Sequence, residues 1–136
     1  MFAQRLQGVP PQSFLRLVAL VQGVVYVLTG VWPLVHMKSF LAVTGPKTDL
    51  WLVNTVGVLV AVIGAVLLTA VGRGLPRMEI RLLGAASAAA LAAIDIYYVT
   101  AGVIWPVYLV DAIFEIVLAA AWGILSMVIE RTETRI

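Results

Sequence analysis

The sequence has no cysteine, a single histidine and few charged residues. Of its 136 residues, 12% are Asp, Glu, Lys or Arg, whereas 62% are hydrophobic. The missing cysteines exclude disulfide bonds and thiolate metal sites. A soluble domain of this size cannot hide so much apolar surface, because a small domain leaves much of its surface in water. The composition therefore predicts one integral membrane domain over residues 1–136, in contact with the lipid bilayer.

Four apolar stretches are long enough to cross a bilayer as helices, which takes roughly 20 residues each. They cover about 14–35, 51–71, 80–99 and 107–129. This pattern predicts an all-α fold, an integral membrane four-helix bundle. The outer link, residues 36–50, is the only one long enough for structure of its own, and we expect a short interfacial helix over 36–41.

The basic residues are divided unevenly between the two sides of the predicted bundle. All seven arginines fall on the side that holds both chain ends: Arg5, Arg16, Arg73, Arg77, Arg81, Arg131 and Arg135. The opposite side has Lys38 and Lys47. Because cytoplasmic loops carry the excess of Lys and Arg, we expect a cell (inner) membrane protein with both termini in the cytoplasm. The basic residues are too sparse for a nucleic-acid site, so no nucleic-acid partner is expected.

The two halves of the chain resemble each other. Residues 26–33 (YVLTGVWP) match residues 98–106 (YVTAGVIWP), and residues 51–56 match residues 108–113. Each half would cross the membrane twice, so the match predicts two tandem helical hairpins, a parallel 2+2 internal repeat about an axis along the membrane normal. Chance similarity between apolar sequences is the alternative interpretation.

Three carboxyl residues fall inside the predicted spans: Asp95, Asp111 and Glu115. Ionisable groups inside a membrane are costly and usually functional. Asp111 and Glu115 are four residues apart and therefore share one helical face. We expect these acids to have no basic partner within the membrane. At neutral pH at least one of the two on the fourth span should then be protonated, or a cation should be bound.

Other polar and aromatic residues are predicted near the same face or depth. They are Gln22, Tyr26, Asn54, Tyr98, Tyr108 and Trp122. With the three acids they predict a ligand pocket in the outer half of the membrane. The inner half is rich in small residues, which let helices approach closely. Gly30 and Gly102 are interpreted as helix-end glycines.

Three functions are compatible with this pattern. The first is binding of a small cationic or amphiphilic ligand, since carboxylates and aromatic faces both attract cations. The second is a structural or accessory subunit of a homo-oligomer or larger membrane complex, in which the polar groups hold the helices in register. The third is a small proton- or cation-coupled transporter. An enzyme is the least supported, because no nucleophile, metal motif or cofactor fingerprint accompanies the acids, and we expect neither a cofactor nor a metal ion.

The architecture resembles the small four-helix membrane proteins grouped as DoxX-like and, more loosely, the EXPERA-type proteins. The resemblance consists of four spans with acids (Asp95, Asp111 and Glu115) among aromatic residues. EXPERA-type proteins include sterol isomerases and sterol-binding receptors, so the resemblance implies a ligand pocket between the helices. The small multidrug transporters also have four helices, but their hallmark acid lies in the first span, where this chain has Gln22.

Overall fold

The computed structural model describes residues 10–74 and 77–135, and within them the regular structure is entirely helical. The elements are α1 (Pro11–Val35), α2 (Met37–Thr44), α3 (Leu50–Gly72), α4 (Met78–Thr100) and α5 (Tyr108–Glu133). All but α2 are long and apolar enough to cross a membrane. The prediction of an all-α fold with four long apolar helices is confirmed. Arg5 and part of the predicted inner link, residues 75–76, lie outside the described residues.

Local sequence explains where several helices begin and end. Pro11 opens α1, a position where its fixed φ and missing N–H cost nothing. Helix α2 begins after His36, whose ring accepts a hydrogen bond from the Ser39 N–H at 3.1 Å. Gly102 follows the end of α4 with φ +74, as predicted for a helix-end glycine. The same prediction for Gly30 is wrong, because α1 continues through this residue to Val35.

Helices α1 and α3 run antiparallel with their backbones in close contact. Gly30 faces Gly57 and Gly23 faces Gly64, and a Cβ added to Gly30, Gly57 or Gly64 would overlap a backbone atom of the opposite helix. On each helix the two glycines are seven residues apart, which is about two turns and keeps them on one face. The close packing therefore extends into the half of the bundle that holds α2, beyond the half where the sequence predicted it.

Helices α4 and α5 form a second antiparallel pair. Gly84, Ala88 and Ala92 are buried on one face of α4. A Cβ on Gly84 would overlap the Trp122 ring of α5. The two pairs are joined mainly between α1 and α5, whereas α3 and α4 meet only sparsely.

The alternation of helix directions gives the bundle two ends. We call the end where α1 and α4 begin the terminal end, and the end that carries α2 and residues 101–107 the loop end. Every arginine within the described ranges lies toward the terminal end, where the Arg16 Nη2 donates to the Val71 carbonyl at 3.1 Å. Lys38 and Lys47 lie at the loop end.

The outward faces of the long helices are apolar. Leu28, Leu59, Leu82 and Ile113, one from each long helix, are all more than half exposed. Apolar surface on every side of a bundle needs an apolar surrounding medium. These faces are therefore those of a membrane-type helical bundle.

Candidate functional site

A buried glutamine links three helices near the middle of the bundle. The Trp122 Nε1–H of α5 donates to the Gln22 Oε1 of α1 at 2.6 Å. The Gln22 Nε2 in turn donates to the Gly84 carbonyl of α4 at 3.0 Å and lies 3.3 Å from the Ser87 Oγ. Gln22 is fully buried and Trp122 is 1% exposed. One side chain of α1 thus bridges α4 and α5.

A second buried hydrogen bond lies one turn further along α1. The Tyr26 hydroxyl donates to the Glu115 Oε2 at 2.6 Å, and both side chains are almost completely buried. We call these residues together the hydrogen-bonded layer: Gln22, Tyr26, Gly84, Ser87, Glu115 and Trp122. In the part of the chain that the structure describes, no buried side-chain polar atom of this layer lacks a hydrogen-bond partner.

Nearer the loop end, Asp95 of α4 and Asp111 of α5 form what we call the acid pair. The carboxyl groups of Asp111 and Glu115 both lie close enough to interact with that of Asp95. Asp95 is 5% exposed, and Asp111 is half-buried. Two carboxyl groups can form a hydrogen bond only when one of them carries a proton.

Two buried side-chain oxygens have no hydrogen-bond donor among the described residues. The Oδ2 of Asp95 is buried and has no partner among residues 10–74 and 77–135. The Oδ1 of Asn54, on α3, is also buried and has no hydrogen-bond partner among the described residues. A buried acceptor without a donor is costly, so each such atom in a native fold calls for an explanation.

A cavity of about 440 Å³ lies between the two links of the loop end. It is lined by Thr44, Pro46, Lys47, Val99, Gly102, Val103, Ile104, Trp105 and Pro106. Val99 is one turn beyond Asp95 on the same face of α4. The acid pair therefore lies about one helical turn, roughly 5 Å, below this loop-end cavity.

The wall of the loop-end cavity holds an ammonium group. The Lys47 Nζ donates to the Thr44 Oγ1 at 2.9 Å and to the Gly45 carbonyl at 3.2 Å. It also lies 5.4 Å from the Phe40 ring centroid and 5.2 Å from that of Tyr108. Aromatic faces at this distance attract a cation. Carbonyl, hydroxyl and aromatic groups thus hold a primary ammonium in the wall of this cavity.

The nine site residues that were predicted from the sequence lie in different surroundings. Gln22, Tyr26, Glu115 and Trp122 belong to the hydrogen-bonded layer, and Asp95 and Asp111 form the acid pair. Asn54 is half-buried, Tyr108 lies beneath Lys47, and Tyr98 is 42% exposed with its ring against that of Tyr97. The sequence predicted one pocket lined by all nine. Tyr26 and Glu115 are bonded to each other at 2.6 Å.

Some residues that contribute to the site were not predicted from the sequence. Ser87 and the Gly84 carbonyl complete the hydrogen-bonded layer, and Lys47 places an ammonium group in the wall of the loop-end cavity. Ser87 lies near the face of α4 that carries Asp95, so its contribution to the site could have been predicted from the sequence. Lys47 lies in the same link as Phe40, but a sequence does not show that the chain turns back at Gly45 to bring them together.

No metal-ligand set marks the site. Among residues 10–74 and 77–135, no group of three or more His, Cys, Asp or Glu residues is arranged to hold a metal ion. Comparisons with protein-family models, with curated proteins and with solved structures find no match to this chain.

Proposed function

We propose that the chain is a multi-pass protein of the cell (inner) membrane with both termini in the cytoplasm. Support comes from the positions of the described arginines at the terminal end and of both lysines at the loop end, since cytoplasmic loops carry the positive excess. We propose further that the bundle consists of two tandem hairpins of common origin. The packing of α1 with α3 and of α4 with α5 supports this part of the proposal.

For function, we propose that the acid pair and the loop-end cavity together bind a small amphiphilic cation. The observation that carries the proposal is the buried Asp95 Oδ2, which has no donor among the described residues and lies beside a second carboxyl group. Ionisable groups inside a membrane generally mark a ligand or ion site. The positive group of the ligand would occupy the acid pair, and its apolar part would extend into the loop-end cavity.

Charge is the first argument for a cationic ligand. Asp111 and Glu115 both lie close enough to interact with Asp95, so three acids come together on α4 and α5. Buried charges are stable only when they are paired and hydrogen-bonded. A bound cation would neutralise the negative charge of these acids and would also supply the missing donor.

The shape and lining of the cavity are the second argument. A volume of about 440 Å³ falls within the roughly 300–1,000 Å³ that is usual for small-molecule sites. Val99, Val103, Ile104 and Trp105 give it an apolar wall opposite Thr44 and Lys47. Asp95 lies one turn before Val99 on α4. This arrangement suits a ligand with an apolar body and one positive group.

Transport through a single chain is less well supported than binding. On the terminal side of Gln22, the bundle is filled by an apolar cluster that includes Leu15, Ala19, Leu67 and Ile129. A proton or ion that crosses the membrane needs polar groups or water along its whole path. The polar residues described above stop at this cluster, so they support a site that is entered and left from the loop end.

An accessory role is the second candidate, and the sparse contact between α3 and α4 favours it. Of the four long helices, α3 is the least buried, since only 17% of its most apolar stretch is buried. Val58, Leu59 and Val62 on α3 are each about half exposed. A helix of another membrane protein could cover this face, and such a role is compatible with ligand binding at the loop end.

The binding proposal is tested with the purified protein in lipid nanodiscs and three probes of equal chain length: n-decylammonium, n-decanol and decanoate. We expect only n-decylammonium to raise Tm by more than it does in a variant that lacks the acid pair. A ligand that binds the folded state stabilises it by RT ln(1 + [L]/Kd). The rise should disappear in the double variant Asp95→Asn, Asp111→Asn.

The matched control is Asp49→Asn. Asp49 is an exposed acid before α3 whose side chain makes no cap hydrogen bond. It should respond to n-decylammonium as the unaltered protein does. An equal rise in Tm in the double variant and in this control would contradict the binding proposal, because the acid pair would then contribute nothing to it.

A further inference from the structure

The hydrogen-bond donors around the acid pair are fewer than the acceptors. Asp95 and Asp111 present four carboxyl oxygens, which only accept hydrogen bonds when they are ionised. The closest described hydroxyl of the layer, that of Tyr26, is already bound to Glu115 at 2.6 Å. The Asp95 Oδ2 is buried and has no partner among residues 10–74 and 77–135. The site therefore needs hydrogen-bond donors as well as positive charge.

On the basis of the proposed function, we infer that the ligand of the acid pair carries N–H groups, as a primary ammonium does, and that the site discriminates against quaternary ammonium ions. Both kinds of cation neutralise the carboxylates. A quaternary ammonium has no N–H, so it would leave the Asp95 Oδ2 without a donor. Leaving a buried acceptor unsatisfied is costly, whereas a charge-assisted hydrogen bond is among the stronger ones in proteins.

The aromatic residues support the same choice. Proteins hold quaternary ammonium ions mainly in cages of aromatic rings. At the loop end, the faces of Phe40 and Tyr108 are already occupied by the Lys47 ammonium. Tyr97 and Tyr98 pack edge to face on each other and are largely exposed. What the acid pair offers a cation is therefore carboxyl oxygen, the acceptor for an N–H group.

The experiment compares n-decylammonium with n-decyltrimethylammonium, which have the same charge and chain length. Equilibrium binding is measured in nanodiscs at concentrations below micelle formation. We expect the primary ammonium to bind at least roughly tenfold more tightly, since hydrogen bonds to charged groups are the stronger kind. The N-methyl and N,N-dimethyl homologues should fall between the two, with affinity decreasing as each N–H is replaced.

The variants Asp95→Asn and Asp49→Asn separate this inference from the proposed function. In Asp95→Asn the preference for the primary ammonium should shrink toward unity, whereas Asp49→Asn should keep it. If both cations bind equally and both lose affinity in Asp95→Asn, the inference is overturned and the proposed function stands. If the affinity of neither cation changes in Asp95→Asn or in the double variant with Asp111→Asn, the proposed function itself fails.

Discussion

The hydrogen-bonded layer and the acid pair are neighbours in the bundle, but they differ in how fully their polar atoms are satisfied. Gln22 and Trp122 are bound at 2.6 Å, and Tyr26 and Glu115 are bound at the same distance. One turn closer to the loop end, the Asp95 Oδ2 has no donor among the described residues. Inside a membrane, polar groups whose hydrogen bonds are complete hold helices together. A polar group with an unused acceptor can instead bind a ligand.

The expected energies follow from this difference. Interhelical hydrogen bonds in membranes contribute on average about 0.6 kcal/mol each, with a maximum near 1.7 kcal/mol. Leaving a buried polar group unpaired costs about 1–3 kcal/mol. Changes in the hydrogen-bonded layer should therefore lower stability and spare binding. Changes in the acid pair should lower binding and spare stability.

The largest effect is expected for Gly84→Ala. The added Cβ would overlap the Trp122 ring, so α4 and α5 must separate and the bond from Trp122 to Gln22 must stretch. We expect the free energy of unfolding to fall by about 2–4 kcal/mol. Unfolding in mixed micelles by titration with SDS measures it. The control is Gly123→Ala, where a Cβ meets no atom within 4 Å, and which should be neutral. Equal losses in the two variants would refute the close contact.

The next effect is expected for Gln22→Leu. This change leaves the Trp122 Nε1–H without its acceptor and removes one donor from the Gly84 carbonyl. We expect a loss of about 1–3 kcal/mol in the free energy of unfolding, with unchanged affinity for n-decylammonium while the protein is folded. Thr29→Val is the control, because Thr29 is exposed and its hydroxyl bonds within its own helix. A loss of ligand affinity in Gln22→Leu would show that the hydrogen-bonded layer also contributes to binding. The proposed division between the two regions would then be wrong.

For Asp95→Asn we expect the opposite pattern. The asparagine amide can donate to Asp111 without a shared proton, and one buried charge disappears. Stability should stay within about 0.5 kcal/mol of the original or rise by up to about 1 kcal/mol, as is common when a strained functional site is relieved. The affinity for n-decylammonium should fall at least roughly tenfold. Calorimetric titration in nanodiscs measures the affinity, and an unchanged affinity would count against the account.

The smallest effect is expected for Lys47→Met. It removes an ammonium bound to Thr44 and Gly45 and lying over two rings. Exposed interactions of this kind contribute about 0.5–1 kcal/mol. We expect global stability to change by less than 1 kcal/mol, with faster hydrogen exchange confined to the link that carries Lys47. Lys38→Met, at an exposed position, should leave the exchange unchanged, and faster exchange throughout α4 and α5 in Lys47→Met would show a wider role.

The sequence was sufficient to predict the long helices and the short helix at the loop end. Runs of apolar residues determine helix length, and Gly45 and Pro46 mark a turn. The depth of Asp95, Asp111 and Glu115 also followed from their positions in those runs. The structure places the three acids on α4 and α5, two of them buried and one half-buried.

What the sequence could not provide is which side chains face each other across helices. Tyr98 was predicted near Asp95 on α4, and the structure shows it 42% exposed with its ring against that of Tyr97. Tyr26 and Glu115 were predicted as separate lining residues, and their mutual hydrogen bond depends on the rotation of α1 against α5. That rotation is determined by packing, including the contacts of Gly23 and Gly30 with α3.

The most direct test of the account is the free energy of unfolding of the unaltered protein and of Asp95→Asn, each with and without saturating n-decylammonium. Without the ligand, Asp95→Asn should be at least as stable as the unaltered protein. With the ligand, the unaltered protein should become the more stable of the two. If Asp95→Asn is instead less stable by the same amount in both conditions, Asp95 belongs with the hydrogen-bonded layer and the division between the two regions is wrong.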